Sequence, residues 1–206
     1  MKALIVLEYL PDLIKHYDYL IGVEKGALAL AKAGIHMDAV IGDMDSLSAS
    51  QVKLVLAHCD SHIRLQVEKD ESDSQAAYKL AKQQGADEVI IIGGLGKRAD
   101  HSWVNLMMVY DYADITLMDG QNTIRVLLPG EQVIDSGPRQ YYSFFAPESC
   151  VLSLTGGFHY HLKQRHLQLY DLYTLSNQID SFPGHILVQE GKCLMFISRD
   201  LPKKKG

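Results

Sequence analysis

Residues Ile41–Ser46 read I-G-D-M-D-S, two carboxylates at i and i+2 directly after the apolar run Ala39, Val40, Ile41. Such a run reads as a buried strand, with the aspartates where it emerges. Two anions held close together repel, and a divalent cation with oxygen ligands relieves the repulsion. Asp-x-Asp-Ser is equally turn chemistry, because these side chains bond their own backbone. Taken alone, the hexapeptide fits a turn and a metal site about equally.

A second acidic stretch, E-K-D-E-S-D-S-Q over Glu68–Gln75, follows the apolar run Ile63–Val67. Here Asp70 or Ser72 can cap a helix beginning near Asp73, and acid in a first helical turn is expected from the dipole alone. The third stretch, G-G-L-G-K-R-A-D-H over Gly93–His101, follows the run Val89–Ile92. Its glycines, Gly94 and Gly96 among them, let backbone approach a phosphate, with Lys97 and Arg98 as countercharge. Arg98 can grip a phosphate bidentately, and Lys97 acts as a point charge. The stretch lacks the Gly-Lys-Ser/Thr of a Walker loop. What shifts the balance toward function is coincidence. Three strand exits carry Asp43 and Asp45, then Asp70 and Asp73, then Arg98 and Asp100, a concentration suited to Mg²⁺ bridging a polyphosphate.

The elements that must position these residues alternate. Ala3–Leu7, Tyr19–Val23, Ala39–Ile41, Ile63–Val67, Val89–Ile92 and Ile115–Met118 read as strands, mostly apolar on both faces as buried parallel strands are. Helical spacing marks Glu24–Ala33 before Gly34, Ser48–Ala57 with a capping serine, and Asp73–Gln84 before Gly85. The pattern predicts an α/β fold, an N-terminal doubly wound, mostly parallel sheet whose strand ends face one edge. After Pro129-Gly130 the texture turns to short runs, Tyr141–Phe145, Cys150–Leu154, Ile186–Gln189 and Cys193–Ile197, separated by Gly, Pro and Ser. That predicts a small antiparallel, β-sandwich-like domain. The expected division is residues 1–128, the ATP- and metal-binding part, and 129–206.

The 206 residues are 47% hydrophobic, enough for a proper core, with a net charge of −5. To Gly130 there are 18 acidic against 12 basic residues, and 7 against 8 afterwards, which argues against nucleic acid as the main partner. The one basic run, Lys203–Lys205, reads as a solvated tail. Cys59, Cys150 and Cys193 are widely spaced and odd in number, as in a reduced, cytoplasmic protein. No apolar stretch has membrane-spanning length, and the start M-K-A-L-I-V-L-E turns acidic too early for a signal peptide.

The ordered motifs resemble those of the thiamine pyrophosphokinase family: G-D-x-D-S at Gly42–Ser46, K-D-x-T-D at Lys69–Asp73, G-x-x-G-G-R-x-D-H with a later Asn at Gly93–Asn105, and Ser-Asn at Ser176-Asn177. The resemblance covers nearly the whole chain. It implies transfer of the diphosphoryl group of ATP to the hydroxyethyl hydroxyl of thiamine, giving thiamine diphosphate and AMP. It further implies Asp43, Asp45, Asp73 and Asp100 as Mg²⁺ ligands and catalytic residues together with Arg98. Lys69, Ser72, Gly94, Gly96 and Arg98 would bind the nucleotide, and Glu24, Ser176 and Asn177 the acceptor. Asp73 or Asp100 would be the general base. A homodimer is implied, its β domains helping to form the interface and the thiamine pocket.

The chain departs from the family pattern at Val23–Ala27, where A-D-G-G-A is usual: Glu24 lengthens the carboxylate and Lys25 replaces a glycine. Ser72 stands for Thr, Gln75 for a frequent Glu, and Lys97 for a glycine. Rival readings are a phosphatase of the haloacid dehalogenase type, a pyrophosphokinase for another alcohol such as a pterin, and a non-catalytic sensor of thiamine diphosphate or a nucleotide. His159 and His161 alternate as on one strand face, with His166 nearby, and read as surface or interface histidines rather than zinc ligands. His101 reads as orienting the start of a helix. Trp103, Leu106 and Met107 read as core. Tyr141, Tyr142, Phe144 and Phe145 fit a β-domain core or a stacking surface.

Overall fold

The computed structural model describes residues 1–64, 71–96 and 98–200. Lys69, Asp70 and Lys97, the 65–67 part of the expected fourth strand and the terminal lysines lie outside them. Two compact units emerge, one of residues 1–108 and 114–120, the other of 109–113 and everything from Gln121 onward.

The first unit contains strands β1 (Lys2–Val6), β2 (Tyr19–Val23), β3 (Met37–Ile41), β4 (Cys59–Ile63), β5 (Glu88–Ile92) and β6 (Ile115–Met118). All their pairings are parallel, in the order β4-β3-β2-β1-β5-β6. Helices α1 (Lys25–Lys32), α2 (Ala49–Leu56), α3 (Asp73–Gln83) and α4 (Ala99–Asp111) supply the crossovers from β2 to β6. On one face Leu4, Val6, Leu20, Met37 and Val40 pack with Leu28, Leu30 and Ala31 of α1 and Val55 of α2. The alternate residues Ala3, Ile5, Ile21, Ala39, Ile91 and Val89 are also fully buried, and α3 packs across β1, β2 and β3. This is the doubly wound arrangement expected from runs apolar on both faces. Ser48 and Ser72 start α2 and α3 with complete capping boxes, closed by Gln51 and Gln75. Gln75 thus does locally what a glutamate does at that position.

One strand differs from expectation. β4 runs Cys59–Ile63, earlier than the apolar run suggested. It is an edge strand paired with β3 alone, so its C-D-S-H-I sequence is largely exposed and carries no two-faced apolar signal.

The second unit is antiparallel. Strand β7 (Asn122–Leu127) pairs with β13 (Cys193–Ser198), which also pairs with β9 (Tyr141–Phe145). A second sheet runs β11-β10-β12-β8, formed by β11 (Leu162–Gln168), β10 (Ser149–Phe158), β12 (Ile179–Gly191) and β8 (Gly130–Ile134). Tyr142, Phe144, Met195 and Leu127 from the first sheet share a core with Leu152, Leu154, Phe158, Ile186 and Val188 from the second. The compositional change at Pro129 falls one strand after the unit boundary, because β7 pairs with β13 and belongs to the second unit. His159 and His161 lie in the connection between β10 and β11 and do not share a strand face: His159 Nδ1 meets Asp180 at 2.7 Å and His161 Nε2 meets the Gly156 carbonyl at 3.0 Å. Trp103 is not core either. It is 58% exposed on α4, because Val109 and Met108, further along the helix, take the buried positions.

At the start of α1 the backbone comes so close to β1 that a Cβ on Gly26 would lie 2.1 Å from the Val6 carbonyl oxygen. Neither backbone segment can yield cheaply. Gly26→Ala is expected to destabilise the protein by roughly 1–3 kcal/mol, read as a lower urea midpoint at an unchanged slope.

Candidate active site

The order β4-β3-β2-β1-β5-β6 reverses direction between β1 and β5, and ligands in open α/β sheets bind outside the carboxyl ends of strands at such a point. Glu24 follows β2, Asp43 and Asp45 follow β3, Asp73 opens α3, and Gly93–Gly96 follow β5. Val23 stands opposite Ile41, and the Glu24 N–H donates to the Ile41 carbonyl at 3.2 Å, so the two exits lie side by side.

Glu24, Asp43 and Asp45 each bring a carboxylate oxygen within 4.8 Å of the others. Turn chemistry and proximity coexist here: the Asp45 N–H donates to Asp43 Oδ1 at 3.0 Å, and the Met44 N–H donates to Glu24 Oε1 at 3.4 Å. Backbone strain accompanies the cluster, since Glu24 (φ +47°) and Met44 (φ +57°) hold positive φ without being glycine. Gly42 holds φ +143°, a conformation that disfavours other residues, and the Glu24 carboxylate packs against it, Oε1 lying 1.9 Å from where a Cβ would stand. His62 on β4 meets the Gly42 carbonyl through Nε2 at 3.3 Å. Burial first, then the charges of Asp73 and Asp43, push the Glu24 carboxyl above its ordinary range, against the pull of the Met44 N–H. Three carboxylate oxygens gathered this closely suit a hard divalent cation.

The remaining expected residues fall as follows. Asp73 is half-buried, and its charge reaches Glu24. Asp100 is paired with Arg98, whose Nε donates to Oδ1 at 3.1 Å; this pairing holds the exposed Asp100 carboxyl at about 2. Among the described residues, then, Glu24 joins Asp43 and Asp45 in the tight trio, and Asp73 and Asp100 stand outside it. Ser72 caps α3, and the Gly96 N–H donates to Ser102 Oγ at 3.1 Å. A hollow of about 190 Å³ is lined by Ser72, Ser74, Asp100, His101, Val104 and Asn105. Lys25 is exposed, and the close backbone approach in this segment falls at Gly26.

In the second unit, Ser176 is exposed at φ +58°, and its N–H donates to Ser143 Oγ at 2.9 Å. Asn177 is buried with its amide spent locally: Oδ1 accepts from Tyr160 and Gln178 N–H groups, and Nδ2 donates to the Tyr160 carbonyl at 2.7 Å. Sequence reasoning passed over Glu8, exposed just after β1, beside which a Cβ on Gly93 would lie 2.5 Å from the Glu8 Cβ. Its signal was available, a carboxylate directly following a buried strand. Ser74 and His62 carried no such signal, since their partners are distant in sequence.

The family profile described as "Thiamin pyrophosphokinase, catalytic domain" matches residues 10–118, more than half of the chain. The chain belongs to the thiamin pyrophosphokinase family. It is 32% identical over 201 residues to the thiamine pyrophosphokinase of Bacillus subtilis (strain 168), covering 93% of this chain and 94% of that protein. The crystal structure of the Bacillus subtilis thiamine pyrophosphokinase superposes with a TM-score of 0.84 at 30% identity, covering 98% of this chain and all of that one. That of Geobacillus thermodenitrificans gives a TM-score of 0.81 at 31% identity, covering 97% and 98%. As a member of this family, the chain has the mixed architecture of its relatives, a mostly parallel sheet with a separate antiparallel one.

Because the folded Glu24 carboxyl is raised, the unfolded chain releases this proton first as pH rises past about 4.3, and wild type loses stability until the folded group also ionises. Glu24→Gln removes that loss and retains an acceptor for Met44. It is therefore expected to have a higher thermal midpoint than wild type at pH 8 without added metal, with the two converging near pH 4 in calorimetry.

Proposed function

We propose that this chain transfers the diphosphoryl group of ATP to the hydroxyethyl hydroxyl of thiamine, giving thiamine diphosphate and AMP. The observation that carries the reading is the convergence of Glu24, Asp43 and Asp45 at adjacent strand exits, in a chain of this family. These three carboxylates would hold Mg²⁺, which supplies countercharge to phosphate oxygens when bound. The glycine-rich turn at Gly94 and Gly96, with Arg98, would receive the phosphates, and Lys69 and Ser72 would complete the nucleotide contacts. Attack by the thiamine oxygen on the β-phosphorus forms one P–O bond and breaks the bond to the α-phosphate, so AMP leaves with the electron pair. The hydroxyl proton passes to a carboxylate. Asp100, held at about 2 by Arg98, is a weak base, which favours Asp73 for that role. Ser176 would contact thiamine, and the buried Asn177 would hold the neighbouring backbone of Tyr160 and Gln178 in place.

Assembly as a homodimer is part of the proposal. Leu169, Tyr170, Leu172, Tyr173 and Leu175, between β11 and β12, are exposed large apolar side chains of the kind subunit interfaces cover. A reduced, cytoplasmic setting accords with Cys59, Cys150 and Cys193 all being free thiols. Among the described residues no helix is long and apolar enough to cross a membrane.

A coupled assay for AMP tests the reaction. Release is expected to require ATP, Mg²⁺ and thiamine together; tight binding of thiamine diphosphate without AMP release would support a sensor instead. Asp43→Asn is expected to lower turnover roughly 100-fold or more with the fold retained by circular dichroism, and full activity in that variant would refute the metal assignment. Light scattering on a sizing column should give twice the 23.0 kDa chain mass.

A further inference from the structure

Asn105 on α4 is 3% exposed, and a buried amide is unfavourable unless its polar atoms are bonded. Here both are. A carbonyl only accepts, so the amide nitrogen must face Gly94: Nδ2 donates to the Gly94 carbonyl at 2.9 Å. That leaves Oδ1 to accept from Ser74 Oγ at 2.7 Å. Ser74 Oγ lies 3.0 Å from Ser72 Oγ, and Ser72 caps α3 through its box with Gln75. An unbroken polar relay therefore joins the glycine-rich turn after β5 to the first turn of α3. Asp73 stands between the two serines of that relay. The contact is close: a Cβ on Gly94 would lie 2.5 Å from Asn105 Nδ2.

We propose that Asn105 is a positioning residue that sets the separation between Asp73 and the phosphate-receiving turn at Gly94. It acts through the two elements it ties together, its amide bonded to a carbonyl on one and to a hydroxyl on the other. The proposal rests on the diphosphotransfer reading above. Under that reading, the turn would hold the phosphates and Asp73 would take the hydroxyl proton, so their spacing would govern reactive geometry. An amide is suited to the task because it donates to a carbonyl and accepts from a hydroxyl at once; a carboxylate only accepts, and an alkyl group does neither.

The test compares full-length wild type with Ser74→Ala, Asn105→Ala, Asn105→Asp and the Ser74→Ala/Asn105→Ala double variant. Measured are kcat, KM for ATP and thiamine, the Mg²⁺ concentration for half-maximal AMP release, and Tm. Asn105→Ala is expected to lower kcat on the order of 10- to 100-fold, raise the Mg²⁺ requirement, and leave KM for thiamine within about twofold. Asn105→Asp keeps the Ser74 bond but opposes the Gly94 carbonyl, so its kcat should be as low. Ser74→Ala should lose less, and the double variant should be no worse than Asn105→Ala, because both cut one relay. A lowered Tm with kcat per folded enzyme and Mg²⁺ requirement unchanged marks a merely structural amide and overturns the proposal, as do losses that multiply in the double variant. If Asn105→Ala does not fold, Ser74→Ala decides: wild-type kcat and Mg²⁺ dependence there overturn the proposal. Absence of AMP release by wild type overturns the diphosphotransfer reading and this proposal with it, whereas an active wild type with unaffected variants overturns this proposal alone.

Discussion

The parallel register of β2 and β3 is the constraint on which the site depends. Val23 opposite Ile41 brings both strands to an end at one level, and the Glu24 N–H bonds across to Ile41. The chain must then turn away twice within a few ångströms, and it does so with carboxylates on both turns. Three like charges within 4.8 Å are unfavourable in isolation. They persist because the sheet beneath them, with Ile21, Ala39 and Val40 fully buried, leaves the strand ends no freedom to spread. Folding energy from the apolar core thus maintains a local electrostatic conflict that a bound cation would relieve.

Backbone conformation follows from the same constraint. Glu24 and Met44 adopt positive φ, and Gly42, also at positive φ, leaves the Glu24 carboxylate the space that a Cβ would take. Such strain persists only where the surroundings over-determine it, and it concentrates at sites that need pre-organisation. Across the switch point the glycine-rich turn is held by a backbone bond from Gly93 to Met118 of β6 and by side-chain hydrogen bonds to Asn105 and Ser102. One side of the site is therefore acidic and rigidly templated by the sheet, and the other is backbone-rich and tied to helices α3 and α4.

Charge is divided to match. Arg98 and Asp100 form an exposed pair that holds the Asp100 carboxyl at about 2, whereas Glu24 is pushed up by burial and by its acidic neighbours. Two carboxylates of one site thus differ in proton affinity because one stands exposed beside a guanidinium and the other is partly buried, with anions near it. A low-affinity carboxylate beside an arginine suits orientation of the guanidinium; a raised one among acids would suit cation binding.

The sequence by itself determined the elements and the chemistry at their ends. Buried strands read as apolar runs, helices α2 and α3 announced their starts through Ser48 and Ser72, and the acidic and glycine-rich motifs fixed the family. These are short-range signals, carried by residues within a turn or a strand of one another. Only the tertiary structure decided which carboxylates meet. Glu24 reached Asp43 and Asp45 because β2 and β3 pair in register, while Asp100 turned to Arg98. It likewise located β4, whose edge position removes the need for two apolar faces, and left Trp103 exposed where helical spacing had suggested core. The Gly94–Asn105–Ser74 relay joins residues up to 31 positions apart. Such contacts are set by strand order and crossover packing, which no local pattern of residues encodes.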